Sequence, residues 1–367
     1  MKRIYIYVIT AFALLAGACS DNNLNDDAPV VPVTPDIVIP EGAAEGELLI
    51  KFVPEMTEIL DRTMKTRAAG ASTRSGIPST DEVLSILGAY DFERVFPVDS
   101  RTEEKSREAG LHLWYLVRFD KNTDLKEAME RLSGLGEISK LQINPAIQRA
   151  YNPKKKPVPV SEAALNRMRT RAAADNGFKF NDALLPHQWG YINRGAYDFA
   201  TENAPAIVGS DVNCEEAWEL CTGDPEIIVA VLDEGVMYTH EDLTANMWVN
   251  EKEQVGSDQD NDGNGYKGDR YGYNFVKDNG NISWQAAEDT GHGTHVAGTI
   301  AAVNGNNKGV CGIAGGDGTK KGVRIMSCQV FDGDGQVRMV NEARAIKYAA
   351  DNGAVILQCS WGYNSAY

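Results

Sequence analysis

The sequence predicts an α/β protein whose C-terminal half is a parallel, doubly wound sheet, preceded by a small α+β unit of ferredoxin-like order. Three observations carry this. Residues 226–232 hold a continuous apolar run, as expected for a strand buried on both faces, and 323–331 and 354–359 read as the second and third strands. Helical stretches at 293–303 and 335–352 alternate with them, which is βαβ order with right-handed crossovers. Residues 46–150 read strand–helix–strand–strand–helix–strand, the split βαβ arrangement. With 43% apolar and 24% charged residues among 367, the composition is that of a globular chain. A net charge of −16 argues against nucleic acid as a partner, because phosphate neutralisation needs a basic surface.

The chain opens with Lys2 and Arg3, then an apolar stretch over 4–16 too short to span a bilayer comfortably. Ala16, Gly17 and Ala18 precede Cys19, which resembles a bacterial lipoprotein signal. The reading is a signal peptide over 1–18, lipidation at Cys19 and a membrane partner through that lipid. The protein is then exported and anchored at the bacterial cell envelope, or secreted. Residues 19–45 are polar, then Pro- and Val-rich, and form a tether. Five cysteines remain, an odd number that speaks against a disulfide framework. Cys214 and Cys221 flank a short helix whose ends lie roughly 10 Å apart, too far for a bridge. Cys311, Cys328 and Cys359 read as small buried hydrophobes.

Within the unit 46–150, residues 47–53 form the first strand and 63–79 a loop. Thr80 is placed to cap a helix, with Asp81 and Glu82 near its positive end. Residues 90–98 and 111–119 read as strands, with Leu111, Leu113, Tyr115, Val117 and Phe119 on one face. His112 falls on the other face and reads as structural. Residues 124–135 are helical, with Leu125, Ala128, Met129 and Leu132 in one stripe, and 138–147 close the unit as a strand. Residues 151–185 then form a linker rich in basic residues, including Lys154, Arg167, Arg169 and Arg171. Exposed basic loops are readily cut, so it is the expected processing site.

From residue 186 onward, Asp233 stands at the carboxyl end of the first buried strand, where ligands bind in parallel sheets. A poorly solvated carboxylate there must be paired or hydrogen-bonded. His292 lies between glycines in DTGHGTHVAG at 289–298, which leaves its ring room. A metal pair of His292 and His295 is the rival reading, but the zincin pattern needs i,i+4 spacing and a Glu after the first His. A His base oriented by a buried Asp needs neither.

Residues 227–243 (IIVAVLDEGVMYTHEDL) together with 291–303 (GHGTHVAGTIAAV) resemble the subtilisin-like serine proteases, or subtilases. The similarity extends over 186–367, and the unit 46–150 looks like the family's pro-peptide, an intramolecular chaperone and inhibitor. The resemblance implies a subtilisin-like sheet and a peptide or protein substrate. It also implies an Asp-His-Ser triad with Asp233 as the acid and His292 as the general base. Glu234 stands where the family more often has Ser or Thr, and its side chain is expected to point outward. His240 and His295 match structural positions. The strand ending in Ser360, Trp361 and Gly362 resembles the one that pairs with substrate backbone by strand addition. The family's Gly-Thr-Ser motif and oxyanion asparagine do not occur in these 367 residues. The expectation is therefore an incomplete sheet, and a chain inactive as given. The alternative is a non-catalytic protein that binds peptide and calcium.

Calcium is the expected cofactor. Asp258, Asp260 and Asp262, then Gly263 and finally Asp269 follow the calcium-loop pattern of positions 1, 3, 5, 6 and 12. A second site pairs Asp242 with the loop 303–310, including Asn306, as the family resemblance implies.

Overall fold

The computed structural model describes residues 37–40, 42–66, 74–152, 154, 161, 163–164, 166, 177–195, 205–285, 289–333 and 337–363. The predicted signal, Cys19, the tether up to residue 36 and the basic stretch with Arg167, Arg169 and Arg171 lie outside them. Among the described residues no helix is long and apolar enough to cross a membrane.

The N-terminal unit contains β1 (Ala43–Phe52), α1 (Thr57–Thr66), α2 (Pro78–Ile86) and β2 (Asp91–Arg94). It continues with α3 (Glu103–Glu108), β3 (Trp114–Arg118), α4 (Leu125–Ser133) and β4 (Ile138–Pro145). The strands form an antiparallel sheet of order β2-β3-β1-β4, which the split βαβ pattern requires. Leu48, Ile50 and Phe52 of β1 pack with Tyr115 and Val117 of β3 and with Leu125, Ala128 and Leu132 of α4. Leu49 and Leu116 point to the other face and pack with Val340 of the C-terminal part, so the sheet is covered on both sides.

Three local expectations change. The loop placed at 63–79 is shorter, because α1 runs to Thr66 and α2 begins at Pro78. Pro78 takes the first helical turn, where its missing N–H costs nothing, and this puts Thr80 inside the helix instead of at its cap. Buried Thr80 donates instead to Glu137 at 2.9 Å. Residues 111–113 form a 3-10 turn, so Leu111 joins the Leu49–Leu116 face and not that of Tyr115.

Downstream come β5 (Gln148–Arg149), α5 (Cys214–Leu220), β6 (Ile228–Glu234), β7 (Gly272–Asn274) and α6 (His292–Ala301). They are followed by β8 (Arg324–Phe331), α7 (Met339–Asp351), β9 (Ile356–Cys359) and β10 (Trp361–Gly362). The parallel sheet has the order β7-β8-β6-β9. Side chains of β6 alternate between two cores. Val229 and Val231 meet Ala297 and Ala301 of α6, while Ile228, Ala230 and Leu232 meet Ala345, Tyr348 and Ala349 of α7. The helices therefore cover opposite faces, as a doubly wound sheet demands. All five described cysteines are free. Cys359 is exposed, contrary to the sequence reading, because β9 is an edge strand.

Candidate active site

The alternation of β6 carries Asp233 to the same side as Val229 and Val231, which is the side of α6. His292 is the first residue of that helix. Gly291 before it is left-handed at φ 76°, and a Cβ on Gly293 after it would overlap the Glu234 carbonyl. The glycines thus let the helix start hard against the end of the strand. His292 Nδ1 lies 2.9 Å from both oxygens of Asp233, whose side chain is fully buried. Asp233 Oδ1 also accepts from the Glu234 N–H at 2.7 Å. A buried carboxylate on Nδ1 fixes the ring tautomer and leaves Nε2 as the proton acceptor.

Glu234 does not point outward. Its register with β8 breaks after Asp233, which pairs with Gln329 while Glu234 pairs with Phe331. This irregularity turns the carboxylate toward the start of α6. There it accepts from the Thr290 and His292 N–H groups at 2.8 and 3.1 Å and is fully buried. A carboxylate at the positive end of a helix satisfies amides that the helix itself leaves unpaired. It therefore holds the backbone that carries His292.

An extended segment already lies across this site. Gln148 and Arg149 of β5 pair antiparallel with Gly362 and Trp361 of β10, and the Ala150 N–H donates to the Ser360 carbonyl at 2.8 Å. On its other side, the Ile147 N–H donates to the Val337 carbonyl at 3.2 Å. The Tyr151 ring stacks on His292, with centroids 3.6 Å apart and planes 8° from parallel. Its hydroxyl donates to Asp233 at 3.3 Å. Burial, with Asp233 and Glu234 nearby, pushes the Tyr151 phenol upward, so it stays protonated. Arg149 and Tyr151 were not singled out in the sequence, and only the long-range pairing of β5 with β10 reveals them.

The acidic loop folds differently from its linear pattern. Asp260 accepts from the Gly263 and Gly265 N–H groups at 2.7 and 2.8 Å and so serves its own turn, and Asp258 is exposed. Asp262 and Asp269 instead converge with Glu253, with ligand oxygens within 4.8 Å of one another. Asp262 Oδ1 is buried without a hydrogen-bond partner. Burial pushes the Asp269 carboxyl up to about 6, with Asp262 and Glu253 adding to the rise. Buried, hard oxygen donors with one atom unsatisfied fit a calcium ion. Glu253 was missed because it precedes the loop pattern.

The second group does assemble. Asn306 Nδ2 donates to Asp242 Oδ1 at 2.7 Å, and the Val310 N–H to Oδ2 at 2.9 Å. Asp182, not anticipated, joins through the Gly305 N–H at 2.6 Å. Burial raises its pKa, and Asp242 adds to the rise. His240 and His295 line a cavity of about 350 Å³ with Asp242 and Gln188. Among the described residues, neither His292 nor His295 belongs to a group of three or more His, Cys, Asp or Glu side chains close enough to share a metal ion.

The model of the subtilase family matches residues 224–366. Subtilisin-like protease 1 of Plasmodium vivax is 32% identical over 209 residues, covering 56% of this chain and 29% of that protein. The halolysin-like extracellular serine protease Nep of Natrialba magadii is 33% identical over 151 residues, 41% of this chain and 23% of that one. Kexin of Saccharomyces cerevisiae is 28% identical over 238 residues, 65% of this chain and 24% of that one. The chain thus spans 23–29% of these relatives' length. Fervidolysin from Fervidobacterium pennivorans, a solved structure, aligns with a TM-score of 0.46 at 19% identity, covering 89% of this chain and 38% of that one.

Proposed function

Because residues 224–366 match the model of the subtilase family, we propose that the chain is the acid- and base-bearing part of a subtilisin-like serine endopeptidase made as a zymogen. The observation that carries this is the contact of His292 Nδ1 with buried Asp233 at 2.9 Å. In this reading, His292 Nε2 takes the proton of a serine hydroxyl as its oxygen attacks a peptide carbonyl. It then returns that proton to the leaving amine, while Asp233 stabilises the imidazolium. Residues 1–367 contain no Gly-Thr-Ser motif. The nucleophile belongs to sequence outside them, and the 367 residues alone do not hydrolyse peptides.

The unit 46–150 acts as the inhibitor. Its last strand occupies Ser360, Trp361 and Gly362 as a substrate would, and Tyr151 covers the base. Release follows cutting within 151–185. Calcium, held by Glu253, Asp262 and Asp269 and at the Asp242–Asn306 group, would neutralise buried carboxylates and stiffen these loops. Cys19 anchors the zymogen to the membrane by its lipid.

The test is peptide hydrolysis by the product of the whole reading frame, with His292→Ala alongside. Hydrolysis that His292→Ala abolishes supports the assignment. Undiminished hydrolysis in that variant overturns it, and so does hydrolysis by residues 1–367 alone.

A further inference from the structure

The acidic group of Glu253, Asp262 and Asp269 is touched from outside by the N-terminal unit. Arg101 lies in the turn between β2 and α3, and its Nη1 is 3.5 Å from Asp262 Oδ2. Its fork is held in place: Nε and Nη2 donate to Asp99 at 3.0 and 2.7 Å, and Nη2 also to Asn352 Oδ1 at 3.1 Å. Nη1 is left facing Asp262. Pro97, from the same turn, lies so close over Gly265 that a Cβ on that glycine would overlap it. Asp262 is 3% exposed at its side chain, and its Oδ1 has no hydrogen-bond partner. We propose that this loop is both a calcium site and the docking surface for Pro97 and Arg101, so that calcium and the N-terminal unit weaken each other's binding.

The proposal rests on the calcium reading of these three acids and gives their site a regulatory partner. Asp262 turns Oδ2 to the guanidinium, while its buried Oδ1 is unsatisfied and open to an ion. Without the ion, Arg101 relieves part of the repulsion among three carboxylates whose oxygens lie within 4.8 Å of one another. With the ion bound, that relief is no longer needed, and the guanidinium meets a second cation at the same carboxylate. Linkage makes the effect reciprocal: the factor that Arg101 takes from calcium affinity, calcium takes from docking. Arg101 is 39% exposed, so water and salt screen it, and the factor falls at the low end of such couplings, about fivefold. Removing Arg101 also leaves buried Asp99 without its arginine, which pulls in the same direction. The unit that covers His292 is thus held less tightly wherever calcium is plentiful.

The first measurement is calorimetric titration of the whole 367-residue chain with calcium chloride, for wild type, R101K and R101M. Glu253→Gln with Asp269→Asn marks which binding event belongs to this group. For that event R101M should bind calcium about fivefold more tightly than wild type, and R101K, which keeps the charge, within about twofold of it. Equal or weaker binding by R101M overturns the coupling and leaves the calcium site standing. If Glu253→Gln with Asp269→Asn removes no binding event, the calcium reading itself fails and the coupling falls with it. The second measurement reads docking. The Val340 N–H, among the first amides of α7, donates to Asn144 Oδ1 of the N-terminal unit at 3.1 Å, so its hydrogen exchange reports undocking. Saturating calcium should speed that exchange about fivefold in wild type and leave it unchanged in R101M. No acceleration in wild type, or the same acceleration in both proteins, overturns the proposal.

Discussion

Glu342 offers a quantitative test of how the α7 side of the sheet is packed. It sits on α7, 2% exposed, with one oxygen accepting from the Tyr363 hydroxyl at 3.2 Å and the other without a hydrogen-bond partner. Burial pushes its carboxyl up to about 8, against a pull downward from Tyr363. The folded chain therefore keeps a proton that the unfolded chain releases near the ordinary value of 4.5. Below that value both states are protonated and the full stability is present. As pH rises toward 8, stability falls by about 1.4 kcal/mol per pH unit. Between pH 5.5 and 7.5 the loss is about 2.5 kcal/mol. Glu342→Gln cannot ionise and removes this slope. The assay is native-state hydrogen exchange at the α7 amides of Ala345 and Tyr348, corrected for intrinsic exchange rates. Over this range the variant's opening free energy should fall by about 2.5 kcal/mol less than that of wild type. Parallel pH profiles for the two proteins would refute the buried, protonated carboxyl.

Three further outcomes follow from the same contacts. Gly293→Ala should lower the melting temperature sharply, since its Cβ overlaps the Glu234 carbonyl. Gly298→Ala in the same helix meets nothing within 4 Å and should gain up to about 1 kcal/mol, so equal effects would sink the close-approach argument. Calcium chloride should raise the melting temperature of wild type, and Glu253→Gln with Asp269→Asn should cut that rise. An undiminished rise would place the ion elsewhere. Tyr151→Ala should speed modification of His292 by diethyl pyrocarbonate about two- to tenfold by removing the stacked ring, and an unchanged rate would show that the ring does not shield the base.

Much of this architecture was readable in the sequence because strands buried on both faces must be apolar throughout, as 227–232 is. The pairing of Asp233 with His292 was readable through a family pattern whose residues lie within two short motifs. Other features had no local signal. Strand β7 has three residues, too few for any period to show. The docking of β5 on β10 joins distant segments through backbone groups, which every residue carries.

Carboxylates show most plainly where reading by pattern stops. Asp260, Glu234 and Glu253 are all acidic residues beside a glycine-bearing or charged stretch, and nothing in their neighbours separates them. Which amides come within reach decides their fates. Asp260 meets its own turn and is used up there. Glu234, after a slip in register, meets the first turn of α6 and caps the helix at His292. Glu253 meets the amides of Asp262 and Gly268, at 3.2 Å each, and is drawn into the buried acidic group. An acid's role in this chain is therefore a property of the backbone that closes around it. A charge-neutral replacement at each of the three should accordingly fail differently: in a loop, in the alignment of a base, and in a response to calcium.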